Sequence, residues 1–194
     1  LLTQNSIASS DPYRVGAGIY DITGPSAEAG MMGYGQISQV AGGIQTRLWS
    51  RAFVIEAPDR SSLVTLVTTD LCFVPGGVRD EVITRLNKVV GYPRYSYQNL
   101  LIQATHTHSG PGGYSHRSFY DFTTLGLIQQ NFETIVAGIV QSILRAERNR
   151  EPAKIFLQIG TLKGASINRS PESHLSNPDA RTTEMTNSTV TQLK

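Results

Sequence analysis

Two apolar runs decide the fold: Leu63-Val-Thr-Leu-Val-Thr-Thr69-Asp70, and Leu100-Leu-Ile-Gln-Ala104 running into Thr105-His-Thr-His-Ser-Gly-Pro-Gly-Gly113. Between them Val78, Val82, Ile83, Leu86 and Val89 recur at helical spacing, and Gly91 with Pro93 stops the pattern. Strand, helix and strand with a crossover of this length form a βαβ unit, whose two strands are parallel and whose connection is right-handed as a rule. Upstream, Arg51–Glu56 is a second apolar, β-branched run, and Ala57-Pro-Asp-Arg-Ser61 between it and Leu63 is rich in turn formers, so the two runs read as a hairpin. An antiparallel hairpin sharing a strand with a parallel pair makes the sheet mixed and the class α/β.

Downstream, Leu127, Ile128, Phe132, Ile135, Val136, Ile139, Val140, Ile143 and Leu144 form the longest amphipathic stripe, a helix facing the core. Arg145, Arg148 and Arg150 suit the negative end of its dipole, and Pro152 stops it. A strand is expected over Lys154–Ile159, a turn at Gly160 and an extended piece toward Ile167. Upstream, residues 13–43 carry eight of the 18 glycines, which reads as a short strand followed by long shaped loops. Residues 1–12 read as a loose lead-in, 13–178 as the folded body, and 179–194, rich in Thr, Ser and Asn without periodicity, as a polar tail.

The chain of 194 residues is 39% hydrophobic and 16% charged, enough to bury a core. Its net charge of +2 is spread without a basic cluster, which disfavours a nucleic-acid partner. A single cysteine, Cys72, excludes an internal disulfide and a cysteine-rich zinc ribbon, and it reads as a small buried thiol. Any metal is therefore left to histidine and carboxylate. No run approaches the roughly 18 apolar residues of a membrane span, and Leu1–Ser10 show neither the basic start nor the apolar stretch of a secretory signal.

The chemistry sits at the end of the second parallel strand. In extended backbone, residues two apart point the same way, so His106 and His108 are expected to present both imidazoles to one side, half of a metal site. Catalytic zinc takes three protein ligands and keeps one position for water, so further ligands must come from elsewhere. Asp70 ends the neighbouring strand at the same edge, where open α/β sheets bind ligands, and could ligate a metal or orient a histidine. Arg169, in the polar turn Ile167-Asn-Arg-Ser-Pro171, could hold a substrate oxygen through several donors. His116 and His174 lie in polar, loop-like surroundings and receive no role.

Gly18-Ile-Tyr-Asp-Ile-Thr-Gly-Pro25, Met32-Gly-Tyr-Gly35, Thr46-Arg-Leu-Trp-Ser-Arg-Ala-Phe53, Ala104-Thr-His-Thr-His-Ser-Gly-Pro-Gly-Gly113 and Ile167-Asn-Arg-Ser-Pro171, in this order, resemble the N-terminal part of the neutral ceramidases. The resemblance runs from about Tyr13 to Pro178. It implies a zinc-dependent amidohydrolase that splits the N-acyl bond of ceramide into sphingosine and fatty acid, acting in the secretory pathway, secreted or membrane-associated, at a membrane surface. It implies that His106 is the first zinc ligand, His108 a catalytic neighbour lining the site, Arg169 a residue contacting substrate or water, and Gly33 a substrate-binding backbone position. It also implies that a second histidine, a glutamate, a tyrosine and an essential serine lie further along the family's chain than this stretch reaches. The 194 residues are thus expected to be inactive by themselves, with the C-terminal part of the enzyme as partner. Two alternatives stand beside this reading: a non-catalytic lipid- or partner-binding protein on a ceramidase-like scaffold, and a different metal hydrolase completed by Asp70.

Overall fold

A computed structural model describes residues 12–25, 27–178 and 185–194, which fall into two compact units divided between Ala153 and Lys154. The lead-in read at 1–12 lies outside the described residues except for its last position.

The larger unit is a five-stranded mixed sheet in the order β6-β5-β4-β1-β7, formed by β1 (Tyr13–Asp21), β4 (Trp49–Glu56), β5 (Leu63–Thr69), β6 (Leu100–Ala104) and β7 (Glu151–Ala153). The hairpin and the βαβ unit are both present. Strand β5 pairs antiparallel with β4 and parallel with β6, in the register Thr69↔Ala104. Two helices, α1 (Gly76–Val90) and α3 (Gln129–Arg148), cover the inner face. Alternation along the strands sends Ala52, Val54, Val67, Leu100 and Ile102 into one core with Val78, Val82 and Leu86 of α1 and Ile135, Val136, Ile139 and Ile143 of α3. Burial of this kind is worth roughly 1.5–3 kcal/mol per large aliphatic side chain, so the core sets the fold while the loops are free to be shaped by chemistry.

Helix α3 lies close on β1 because Gly18 has no side chain: a Cβ there would stand 2.1 Å from the Ser142 carbonyl oxygen. Beside this contact a fully buried hydroxyl pair, Ser50 and Ser142 at 2.8 Å, ties β4 to the helix. Pro152, which stops α3, enters the edge strand β7 opposite Arg14, the kind of place in a sheet that tolerates a missing N–H.

The glycine-rich stretch contains more strand than expected. After β1 come β2 (Ala27–Gly30) and β3 (Val40–Gly42), an antiparallel pair. Between β6 and α3 the chain forms a short helix, α2 (Ser118–Asp121), and a 3₁₀ turn over Phe122–Thr124.

The smaller unit pairs β8 (Leu157–Thr161) with β9 (Thr189–Leu193), and carries α4 (Pro171–Leu175). The strand expected over Lys154–Ile159 is only half present: residues 154–156 lie outside any strand, and β8 begins at Leu157 and runs on through Gly160 to Thr161. The region read as a polar tail contains β9, because Thr-Val-Thr is β-branched even where it is too polar to show an apolar alternation.

Candidate functional site

Because β5 and β6 are parallel neighbours in register, the residues that follow them emerge together at the carboxyl edge of the sheet. Cys72 follows β5 and His106 follows β6. Thr105 N–H extends the ladder by one more bond, to the Thr69 carbonyl at 2.9 Å, and the strand then ends. His106 adopts φ +62°, so the extended-strand route to a shared side does not hold. The left-handed turn brings the rings together all the same, with centroids 5.0 Å apart and planes at 70°. A non-glycine residue in this conformation costs roughly 1–2 kcal/mol, a strain that folded chains retain mostly at functional positions.

His106 Nδ1 donates to the Cys72 carbonyl oxygen at 2.7 Å. A carbonyl only accepts, so the proton sits on Nδ1 and the lone pair on Nε2. Among the described residues Nε2 of His106 makes no hydrogen bond, and neither ring nitrogen of His108 makes one. This is the arrangement of a metal-ligating histidine, oriented through one nitrogen and open at the other. His106 is exposed and His108 half-buried.

One potential ligand atom from each of Cys72, His106 and His108 lies within 4.8 Å of the others. Burial pushes the Cys72 thiol above its ordinary range. Cys72 also orients the site through its carbonyl, which accepts from His106 Nδ1. Asp70 does not join the group. Its Oδ1 and Oδ2 accept from Arg51 Nη1 and Nη2 at 2.9 and 3.1 Å, and Oδ2 also accepts from Trp49 N–H at 2.9 Å.

The loop after His108 is fixed from both sides. Met32 N–H donates to the Gly110 carbonyl at 3.1 Å and Gly112 N–H to the Gly30 carbonyl at 2.8 Å. From beneath, Asn131 Nδ2 on α3 donates to the carbonyls of Pro111 and Gly112 at 3.1 and 2.8 Å. This stitching carries Gly33, at φ +109°, against the His108 ring: a Cβ on Gly33 would stand 2.4 Å from His108 Cδ2. Tyr34 adds an edge-on ring contact to His108 at 5.2 Å. Gly33 and the two histidines are thus assembled in one place.

Beside them opens an apolar cleft of about 570 Å³ lined by Met32, Gly33, Cys72, Phe73, Phe119 and Phe122, among others. Phe119 and Phe122 are 87% and 72% exposed at its rim. Neither aromatic carries a signal in the sequence; Cys72, read as a small buried thiol, is buried, and the signal for its place at the site is the loop that follows the first parallel strand. Arg169 lies in the smaller unit, exposed in the turn before α4, where Asn168 Oδ1 accepts from Ser170 N–H at 2.8 Å.

Residues 13–194 match the family model described as neutral/alkaline non-lysosomal ceramidase, N-terminal. The chain belongs to this ceramidase family. It is 43% identical over 178 residues to neutral ceramidase A of Dictyostelium discoideum, covering 91% of this chain and 25% of that protein. With the neutral ceramidase of Pseudomonas aeruginosa it shares 45% identity over 179 residues, 92% of this chain and 26% of that one. The crystal structure of the Pseudomonas aeruginosa neutral ceramidase superposes with a TM-score of 0.82, covering 88% of this chain and 27% of that chain. A ceramidase complexed with C2 superposes with a TM-score of 0.83 at 46% identity, covering 87% of this chain and 26% of that chain. This member of the ceramidase family therefore spans about a quarter of the length of the curated relatives it matches.

Proposed function

We propose that this chain supplies the N-terminal part of a zinc-dependent ceramidase, hydrolysing the N-acyl bond of ceramide to sphingosine and a fatty acid. The observation that carries this reading is the histidine pair: His106, its Nδ1 held by the Cys72 carbonyl at 2.7 Å, stands with Nε2 open beside His108. The donor set fits zinc, since a neutral imidazole with an oriented ring is a preferred ligand.

His106 would hold the metal. Zinc, when bound, supplies Lewis acidity toward an amide carbonyl and lowers the pKa of a water molecule toward neutrality. His108, with both ring nitrogens open, lines the site and is suited to accept or return a proton there. Gly33, without a side chain, lets its own backbone lie against the His108 ring and come close to the scissile group. Arg169 offers a planar fork of donors to a substrate oxygen or a water. The apolar cleft beside Gly33 and Cys72 has the size and lining expected for an aliphatic chain.

A ceramide substrate resides in lipid, so the same reading places the enzyme at a membrane surface, on the secretory route. Two imidazoles make an incomplete zinc site, and the isolated 194 residues are expected to show no appreciable hydrolysis. The test uses a chain of the relatives' full length carrying these residues, assayed on N-acylsphingosine with and without His106→Ala. Loss of turnover in the variant supports the reading, and undiminished turnover refutes it.

A further inference from the structure

Asn131, the third residue of α3, is 1% exposed, and its side-chain amide bonds to nothing in its own helix. Nδ2 donates instead to two successive carbonyls, Pro111 at 3.1 Å and Gly112 at 2.8 Å. Carbonyls only accept, so the end of the amide that faces them is its N–H2 group. The other end, Oδ1, is buried without a hydrogen-bond donor. It lies against Gly24, where a Cβ would stand 1.9 Å from it. A buried acceptor left unpaired is unfavourable, and folded chains retain few of them. An apolar side chain would avoid that penalty, so packing alone does not call for an amide here, whereas the two donated bonds do.

Those bonds hold the loop that begins at His108. Ile128 N–H, just before α3, donates to the next carbonyl, Gly113, at 2.7 Å, so three successive carbonyls of the loop are tied to the start of one helix. That helix is seated in the core through Phe132, Ile135, Val136 and Ile139. The two histidines differ in how they are held. His106 is oriented by a bond from its own ring to the Cys72 carbonyl, whereas among the described residues the His108 ring nitrogens have no such partner. The place of His108 is therefore set through its backbone and by the Gly33 contact. We infer that Asn131 is a positioning residue for His108, fixing through the Pro111 and Gly112 carbonyls where the imidazole stands beside His106. This inference rests on the reading of His108 as a residue of the hydrolytic site.

The test uses Asn131→Asp, which keeps the size of the side chain and loses both donors, and Asn131→Ala, which loses them without adding charge. In a chain of the relatives' full length carrying these residues, kcat for N-acylsphingosine is expected to fall by about tenfold to a hundredfold, with KM within about twofold of the parent. In the 194-residue chain the His108 ring resonances are expected to move, while the Nδ1 proton of His106 stays hydrogen-bonded. Ser142→Ala, which loosens α3 against β4 away from the site, is expected to lower the urea midpoint and leave kcat unchanged. A parent kcat and parent His108 resonances in both Asn131 variants overturn the inference. So does an equal fall of kcat in Ser142→Ala, since general loosening of α3 would then account for the loss. If turnover proves indifferent to His106→Ala, the hydrolytic reading fails separately, and the His108 resonances alone decide whether Asn131 places that ring.

Discussion

A Cβ added to Gly33 would fall 2.4 Å from Cδ2 of His108, so glycine at this position is what lets the imidazole occupy its place. The contact joins two segments far apart in sequence, one in the glycine-rich stretch and one after β6, and it depends on the paired bonds Met32 to Gly110 and Gly112 to Gly30.

Gly33→Ala is expected to displace the His108 ring and to lower turnover of N-acylsphingosine, in a chain of the relatives' full length carrying these residues, by about tenfold to a hundredfold. Its φ of +109° adds a backbone penalty as well. Steady-state turnover of the variant checks this, and an unchanged rate would show that the contact does not position His108.

His106 at φ +62° carries backbone strain that a glycine at the same position would not. His106→Gly is therefore expected to be more stable than His106→Ala by about 1 kcal/mol, although both lose the imidazole. Urea unfolding of the two variants decides the matter; an alanine variant as stable as the glycine variant would mean the backbone there relaxes freely.

The buried hydroxyl pair is directional. Ser142 Oγ donates to the Ile139 carbonyl at 2.8 Å, so in the 2.8 Å contact with Ser50 it accepts. Ser142→Ala strands the Ser50 donor in a dry core and is expected to cost about 1–3 kcal/mol, whereas Ser50→Ala leaves Ser142 donating and is expected to cost about 0.5–1.5 kcal/mol. Equal losses in denaturant melts would contradict this donor assignment.

Asp21 links stability to pH. Burial pushes its carboxyl up, but the hydrogen bonds from Thr23 and the Arg47 guanidinium outweigh that and hold it below the ordinary value of 3.8. A depressed folded pKa means the contribution is complete above the unfolded value and is lost as pH falls through the folded one, which here is below about pH 4. Asp21→Asn is expected to be less stable at pH 7 and to lose less stability between pH 5 and pH 3 than the parent. Urea midpoints at those pH values test it, and parallel acid losses in both proteins would remove Asp21 from the account.

Most of the larger unit is legible in the sequence because its signals are long and periodic. The stripe Phe132 to Ile143 and the β-branched runs of β4, β5 and β6 leave one arrangement that buries them all. What was illegible is short or bent. Strand β7 holds only three residues and contains Pro152, and β9 is too polar to alternate visibly. His106 and His108 were recognisable from spacing, but the reason their rings meet was not, since a left-handed histidine leaves no mark in composition or periodicity. Asp70 looked like a ligand because it ends a strand at the right edge; the bidentate pairing with Arg51 that removes it comes from the adjacent strand β4, and nothing in the local sequence announces it.

Whether the two histidines form the protein half of a zinc site is tested most directly by ¹⁵N NMR of the imidazoles during zinc addition to the 194-residue chain. The expected result is a zinc-dependent shift at Nε2 of His106 and at the His108 ring, with Nδ1 of His106 remaining protonated, and loss of the response in His106→Ala. Zinc that leaves both rings unperturbed, or that binds equally well to a His106→Ala/His108→Ala double variant, would contradict it.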